Sequence, residues 1–227
     1  GGEDITLGKT SAVTYNAVDD IMLLGTDSSF TVYEDAEDGL ADGWFKYPNN
    51  PAAYVMNVED DLRASRVIEL FDNSTNTWFI KTDGGDGTGN YWDYSWENTT
   101  QFIGQWSMKF NVSFSVVFVV SAYDKANPVN HYNIWLEYTP IDTDLLTYID
   151  GTVHHGLGTG VIDGTWRTYT RDLRADLQAG MPNWDIYSVR LFKVRGKSAY
   201  VPPPADAKTP GFWKNNIRKI FIDHRTN

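Results

Sequence analysis

Apolar and polar side chains alternate with a period of two along most of the chain, and helical periodicity is scarce. A run with this alternation is typical of a β-strand with one buried face. Turn-forming clusters such as "YPNNP", "TDGGDGTGN" and "DKANPVN" separate the runs. This spacing indicates an antiparallel β-sandwich rather than βαβ units. The candidate strands are "FTVYE", "GWFKY", "AAYVMNV", "SRVIELF", "TWFIK", "QFIGQWSMKF", "VSFSVVFVVSAYD", "HYNIWLEYT", "LTYID", "TVHHGLG", "WRTYTRDL", "IYSVRLFKVRG" and "IRKIFIDH".

One segment is typical of a helix instead. The run "RDLRADLQAG" places Leu173 and Leu177 on the same helical face, and Gly180 supplies a stop signal. The sequence therefore predicts one short helix in an otherwise all-β domain.

Two segments lie outside this pattern. Residues 1–29 alternate only weakly and precede the first clear strand, so we interpret them as an N-terminal extension to a domain that spans residues 30–227. Residues 201–216, "VPPPADAKTPGFWKNN", are a proline-rich insertion before the last strand. The extension has strand-like positions that could pair with a neighbouring molecule.

Charge and apolar length exclude two classes of function. The chain carries 30 acidic and 19 basic side chains, for a net charge of -11, which argues against a nucleic-acid-binding surface and suits divalent cations. The longest apolar run, "VVFVVSAY", is too short to cross a membrane as a helix. Because the chain begins with Gly1 rather than Met, we expect a processed, exported protein, extracellular or at the cell surface.

Carboxylates crowd the stretch "FTVYEDAEDGLADGW". Calcium takes six to eight oxygens from carboxylates, carbonyls and water, so such a cluster is a candidate site. The best ligands here are Glu34 and Glu37, and Asp223 on the last strand is a further one. A solvated acidic turn explains the same residues, and the residues alone leave both interpretations open.

Catalytic signals are weak. His154 and His155 are adjacent, so on a strand they point to opposite faces and cannot both ligate one metal. The chain has no Gly-x-Ser-x-Gly motif and no cysteine nucleophile. A polysaccharide lyase would need a cation to neutralise a uronate, and Arg171 or Arg195 could serve, although ion pairs with the acidic surplus explain them equally well. We predict that the protein is not an enzyme, with a lyase or hydrolase as an alternative.

Aromatic residues are numerous, with 9 Trp and 13 Tyr. The flat faces of sugar rings pack on such side chains, and the best candidate platform is "GNYWDYSWEN". In a strand, Trp92, Tyr94 and Trp96 of this segment would share one face, with Tyr91 beside them. Because aromatic rings also fill cores, the platform and core interpretations both remain open.

Several motifs together resemble a known class of domain. They are "VYEDAEDGLADGW", "SRVIEL", "WSMKF", "VHHGLG", "DGTWRTYTRDL", "VRLFKVRG" and "IFID". In order and spacing they are similar to jelly-roll domains of the carbohydrate-binding-module type, found in polysaccharide-degrading enzymes and surface proteins of environmental and marine bacteria. The resemblance covers Phe30 to the C-terminus. It implies a two-sheet antiparallel jelly-roll without catalytic activity and a structural calcium near the paired first and last strands.

Two functional hypotheses follow. The first is an extracellular, calcium-stabilised β-sandwich that binds a polysaccharide or other glycan through Tyr91, Trp92, Tyr94 and Trp96. The second is a structural subunit of an extracellular filament or surface layer, a homo-oligomer assembled through residues 1–29. The two are compatible, because a glycan-binding fold can also serve as a building block.

Overall fold

A computed structural model describes residues 13–16, 21–24, 31–61, 64–72, 77–142, 148–149, 151–196 and 213–223, with side chains at 31–61, 64–72, 77–142 and 151–196. The strands are β1 (Val13–Asn16), β2 (Ile21–Leu24), β3 (Thr31–Glu34), β4 (Trp44–Tyr47), β5 (Tyr54–Asp60), β6 (Ser65–Asp72), β7 (Trp78–Lys81), β8 (Ile103–Lys109), β9 (Phe114–Asp124), β10 (Asn127–Thr139), β11 (Tyr148–Ile149), β12 (Thr152–Gly156), β13 (Trp166–Asp172), β14 (Trp184–Gly196) and β15 (Trp213–Asp223). One α-helix, α1 (Leu173–Gly180), lies between β13 and β14, and short 3₁₀ helices span Tyr91–Tyr94 and Thr159–Val161.

Two sheets form the sandwich. The seven-stranded sheet has the order β11-β12-β10-β9-β14-β7-β4, and the six-stranded sheet has the order β13-β8-β15-β6-β5, with β3 also paired to β15. The pairing of β10 with β12 is parallel, while the other described pairs within the two sheets are antiparallel. The prediction of an all-β two-sheet sandwich with one short helix is confirmed.

The core lies between the sheets and is centred on Trp106. This residue is fully buried, and its ring lies 5.5 Å from that of Phe118 and 5.3 Å from that of Tyr138. Alternation in "HYNIWLEY" predicts that Tyr132, Ile134, Leu136 and Tyr138 are buried. The last three point into this core, but Tyr132 is 54% exposed, so the prediction is wrong for that residue.

Strand β9 differs from its neighbours because both of its faces are apolar. Val116, Phe118 and Val120 point into the main core, whereas Val117 and Val119 point to the outer side of the seven-stranded sheet and are fully buried there as well. A run of apolar residues without alternation is typical of a strand covered on both sides. A second, smaller apolar cluster therefore covers the outer face of this sheet.

Helix α1 ends at Gly180, as predicted. Its first turn is capped by the Asp172 carboxylate, which accepts hydrogen bonds from the N–H groups of Arg174 and Ala175 at 3.0 Å. Leu173 and Leu177 are fully buried on one face. The longest described helix thus has eight residues, and none is long and apolar enough to cross a membrane.

The two chain ends are described only in part. Within residues 1–29, β1 and β2 pair with each other as a hairpin, and strand exchange through this extension stays a prediction. Strand β15 begins at Trp213, four residues before the predicted strand "IRKIFIDH". The last four positions of the predicted insertion at 201–216 thus lie in β15, and residues 201–212 lie outside the described part of the chain, so the insertion stays a prediction.

Candidate functional site

The outer face of the seven-stranded sheet carries aromatic residues from several strands. Side-by-side register places Phe45 of β4 next to Ile80 of β7, and Ile80 next to Lys193 of β14. Lys193 in turn lies next to Val117 of β9. Residues paired side by side share a face, so this row marks the outer side of the sheet. We define the aromatic face as the rings that line this side: Tyr47, Trp78, Tyr91, Trp92 and Trp135.

The 3₁₀ helix Tyr91–Tyr94 lies over this side of the sheet. The Asn90 side chain caps the helix by accepting the Trp92 N–H at 3.2 Å. Tyr91 meets Tyr47 edge-on at 5.8 Å between ring centroids, and Trp92 lies 5.3 Å from Tyr91. Trp135 of β10 contacts Trp78 of β7 edge-on at 5.7 Å. Tyr91, Trp92 and Trp135 all pack against the same outer apolar cluster.

The structure brings together only part of the predicted platform. The strand interpretation of "GNYWDYSWEN" is wrong, because a 3₁₀ helix has three residues per turn and spreads successive side chains around its axis. Tyr91 and Trp92 lie on the aromatic face. Tyr94 is 40% exposed and packs 5.7 Å from Phe45, whereas Trp96 turns into the main core.

Trp96 is held in the core by two contacts. Its backbone N–H donates to the Arg190 carbonyl at 2.6 Å, and its ring stacks on Tyr33 at 4.0 Å. Sequence reasoning missed Tyr47, Trp78 and Trp135 as neighbours of Tyr91. The available signal was the outward set of the β10 alternation, which contains Trp135, combined with the apolar outer side of β9.

An open cleft of about 760 Å³ adjoins the aromatic face, and Tyr47 and Tyr91 of that face are among its lining residues. It lies between the edge strands β4 and β5, and the loop at 86–90 forms one wall. Its polar lining includes Asn49, Asp86 and Asn90. Hydrogen bonds from Thr88 lower the pKa of Asp86, so its carboxylate stays ionised at neutral pH and can accept hydrogen bonds.

Three basic residues point outward from β14. Arg190 stacks over Trp92 at 4.8 Å and pairs with Glu97 at 2.7 Å. Lys193 is only 4% exposed, and burial lowers its pKa to about 8. Burial also lowers the pKa of Arg195, although the charge of Glu137 opposes this shift.

The acidic cluster has partners of its own. Glu34 is buried, and its Oε2 lies 3.2 Å from the Lys81 ammonium and accepts the Trp44 indole N–H at 2.8 Å. The same ammonium donates to the Asp42 carbonyl. Glu37 instead accepts a hydrogen bond from the Ser65 hydroxyl.

A calcium ion at Glu34 would compete with an ammonium that is already in place. Among the described residues, no group of three His, Cys, Asp or Glu side chains could hold a metal ion. Ligation by Glu34, Glu37 and Asp223 stays a prediction, and the Asp223 side chain lies outside the described ones.

The remaining catalytic candidates occupy structural positions. His154 and His155 point to opposite faces, as expected: His154 pairs with Glu137 at 2.8 Å, while His155 is buried and stacks on Tyr138. Arg171 is bound through two nitrogens by Asp176, at 2.8 and 2.6 Å.

Comparison with known proteins identifies a family. Residues 79–197, just over half of the chain, match the model described as "D-glucuronyl C5-epimerase, beta-sandwich domain". This range begins in β7 and ends directly after β14, so it includes the 3₁₀ helix and most of the aromatic face. No curated protein matches the chain.

Solved structures similar to the chain include several carbohydrate-binding modules. The family 11 module of the cellulosomal cellulase Lic26A-Cel5E of Clostridium thermocellum shares 10% identity over 87% of this chain and 95% of its own, with a TM-score of 0.43. The CBM22-2 xylan-binding domain of Paenibacillus barcinonensis Xyn10C shares 11% over 85% and 98%, with a TM-score of 0.41. The family 29 module CBM29_1 of Piromyces equi shares 8% over 88% and 93%, with a TM-score of 0.39.

Proposed function

The chain belongs to the family of the D-glucuronyl C5-epimerase β-sandwich domain, and from this premise we propose that it is an extracellular, non-catalytic domain that binds polysaccharide on the aromatic face and in the adjoining cleft.

The observation that carries the proposal is the exposure of aromatic rings beside polar groups. Tyr47 is 57% exposed at the mouth of the cleft, and Tyr91 and Tyr54 are half-buried in its walls. Sugar rings present C–H faces to such rings, while hydroxyl groups bond to amide and carboxylate side chains such as Asn49, Asn90 and Asp86. A concave site with aromatic walls and a few polar groups is the usual form of a ligand site.

The cleft chemistry favours binding over cleavage. Glycoside hydrolysis needs two carboxylates flanking the scissile bond. Asp86 is the one carboxylate among the described residues that line the cleft. Burial raises the pKa of Tyr91, which disfavours the phenolate that a base for proton abstraction would need.

Replacing Tyr47 or Tyr91 with alanine should weaken polysaccharide binding by about 10- to 50-fold, because each change removes a ring from the proposed contact surface. Affinity electrophoresis in gels that contain individual polysaccharides measures this loss. The matched control is Tyr132→Ala. Tyr132 is 54% exposed and meets Trp184 edge-on at 5.7 Å, as Tyr47 meets Tyr91. It does not line the cleft, and three strands separate its strand β10 from β4.

If Tyr47→Ala and Tyr91→Ala both bind polysaccharide within twofold of the wild type, the proposed site is wrong. If Tyr132→Ala loses as much affinity as these variants do, exposed rings bind the polysaccharide in the gel without a defined site.

A further inference from the structure

A second group of aromatic rings lies on the seven-stranded sheet, near the turn between β9 and β10. Tyr123 of β9, His131 of β10 and Tyr187 of β14 come from three adjacent strands. The His131 ring centroid lies 4.2 Å from that of Tyr187 and 5.7 Å from that of Tyr123. His131 and Tyr187 are exposed, and Tyr123 is half-buried. We call these three residues the distal cluster.

Strand register places the distal cluster on the same side of the sheet as the aromatic face. Val119 of β9 pairs with Trp135 of β10 on the outer side. Tyr123 follows Val119 by four positions, and side chains an even number of positions apart share a face of a strand. His131 contacts Tyr123 and therefore lies on this side as well. Four positions of β10, roughly 13 Å, separate His131 from Trp135 of the aromatic face.

Strand β14 is irregular where it passes between the two groups of rings. Its pairing with β9 skips two residues, Tyr187 and Arg190, so each of them occupies a β-bulge. Bulges redirect a side chain and are over-represented at sheet edges and beside functional sites. β14 is an inner strand, with β9 on one side and β7 on the other. Both bulges turn a side chain outward: Tyr187 joins the distal cluster, and Arg190 stacks over Trp92 of the aromatic face.

Polar side chains lie between the two groups of rings. The Arg190 guanidinium donates to the Glu97 carboxylate at 2.7 Å and to the Asn133 amide oxygen at 3.1 Å. The hydroxyls of Ser95 and Ser188 also donate to Glu97, at 2.8 and 3.0 Å. Glu97 and Asn133 are exposed, and the Asn133 amide nitrogen has no partner among the described residues. We define Glu97, Asn133 and Arg190 as the polar stripe, which offers donors and acceptors without net charge.

The backbone holds the polar stripe in a fixed geometry. Glu97 has a φ of +47°, in the left-handed region that residues other than glycine rarely adopt. The preceding Trp96 N–H donates to the Arg190 carbonyl at 2.6 Å, and the following Asn98 N–H donates to the Val189 carbonyl at 3.0 Å. Strained residues fixed by their surroundings in this way cluster at ligand sites. The Glu97 carboxylate, and through it the Arg190 guanidinium, is thereby oriented before a ligand binds.

We propose that the distal cluster is a further sugar subsite, so that one polysaccharide chain runs from the aromatic face across the polar stripe and packs a sugar ring on Tyr187 and His131. This inference rests on the proposed function and adds a second contact site for the same ligand. The rings take the C–H face of a sugar, and the polar stripe bonds to its hydroxyl groups. Because Arg190 and Glu97 neutralise each other, the subsite recognises ring faces and hydroxyls rather than charge.

A second protein is the alternative occupant of exposed rings. The cores of protein interfaces are depleted of charged residues, because each charge loses its hydration there. Here the exposed Glu97 carboxylate and Asn133 amide lie directly between the two groups of rings. Sugars suit this arrangement, since each unit has apolar C–H faces with hydroxyl groups around its rim. The observations therefore favour a glycan over a protein.

The test is affinity electrophoresis of the whole chain in gels that contain soluble xylan, hydroxyethylcellulose or polygalacturonate. On the polysaccharide that retains the wild type most strongly, Tyr187→Ala and His131→Ala should each weaken binding about five- to tenfold, because a ring contact is lost. Tyr187→Phe keeps the ring and should stay within twofold. Tyr132→Ala is the matched control, since Tyr132 follows His131 on β10 and is 54% exposed but points to the other side of the sheet.

NMR titration provides a readout that a merely structural role would not move. A hexasaccharide of the retained polysaccharide should shift the ring signals of His131, assigned with His131→Asn, and leave those of the buried His155 in place. The corresponding disaccharide is too short to reach from the aromatic face to the distal cluster, so it should not shift His131. A shift of His131 with the disaccharide would reveal an independent site and contradict the single chain.

Each outcome of the electrophoresis decides the proposal. Unchanged binding by Tyr187→Ala and His131→Ala, with Tyr47→Ala still weakened, would overturn the distal subsite and leave the proposed function intact. An equal loss in Tyr132→Ala would overturn it as well. If Tyr187→Ala instead lowers the molar mass measured by light scattering and leaves polysaccharide binding unchanged, the cluster contacts a second copy of the chain. Absence of wild-type retention on all three polysaccharides would contradict the proposed function, and the subsite with it.

Discussion

Replacing Lys81 with methionine should lower the free energy of unfolding by about 3–5 kcal/mol, because it leaves the buried Glu34 carboxylate without its cation. The two side chains are 7% and 6% exposed and lie 3.2 Å apart. Lys81 on β7 also donates to the carbonyl of Asp42, so it ties the acidic turn before β4 to the seven-stranded sheet. Methionine has a similar length and leaves no large cavity, which isolates the electrostatic effect.

Urea unfolding of wild type and variant measures the loss. Lys125→Met is the control, since Lys125 is exposed and its replacement should stay within about 0.5 kcal/mol. The double variant Lys81→Met, Glu34→Gln removes both charges and should recover part of the loss. If the free energy of unfolding of Lys81→Met lies within 1 kcal/mol of the wild-type value, the burial of Glu34 does not depend on the Lys81 cation.

The same residues test the calcium prediction. With the Lys81 ammonium at Glu34, chelation with EGTA should leave the melting temperature of the wild type unchanged. A calcium ion bound by Glu34, Glu37 and Asp223 would instead stabilise the folded state in proportion to its occupancy, and EGTA would lower the melting temperature by several degrees. That result would place the cation, rather than Lys81, at the junction of β3 and β15.

Replacing Asp176 with alanine should also cost about 3–5 kcal/mol, because three hydrogen bonds to one buried carboxylate disappear together. Asp176 on α1 accepts from the Tyr138 hydroxyl at 2.6 Å and from two nitrogens of Arg171. Desolvation together with the Asp176 charge holds the pKa of Tyr138 well above its usual value, so this hydroxyl stays a donor. Removing the carboxylate leaves a fully buried hydroxyl and a half-buried guanidinium unpaired.

The N-cap of the same helix provides the comparison. Asp172→Ala removes the cap of α1 and should cost about 1 kcal/mol, the usual value for such a change. Chemical denaturation of both variants separates loss of the network from loss of helix stability. Equal effects would mean that Asp176 stabilises the fold only through the helix.

Local patterns were sufficient to predict most of the strands and the helix. Alternation located most strands because most have one buried face, and β10 follows its predicted inward set at Ile134, Leu136 and Tyr138 but not at Tyr132, which is exposed. Helix α1 was predictable from Leu173, Leu177 and Gly180 because a capped amphipathic turn is a local signal. These features depend on neighbours within a few residues.

The site depends on contacts that no local pattern contains. Tyr47, Trp78 and Trp135 meet because β4, β7 and β10 belong to one sheet, and the strand order arises from pairings far apart in sequence. The segment at 91–96 was wrongly predicted as a strand because its aromatic residues alternate as they would in one. The helix cap at Asn90 and the stacking of Trp96 on Tyr33 outweigh the strand-like alternation of this segment.

The most direct test of the central claim, that the aromatic face binds polysaccharide, is an NMR titration of the tryptophan indole N–H signals. Hexasaccharides of polygalacturonate and of a neutral β-glucan serve as ligands. Binding on the aromatic face predicts shifts of the Trp92 and Trp135 signals, assigned by Trp→Phe substitution, with the signal of the fully buried Trp106 unmoved. Saccharide-induced shifts that leave Trp92 and Trp135 unchanged, or no shift with either hexasaccharide, would contradict the account.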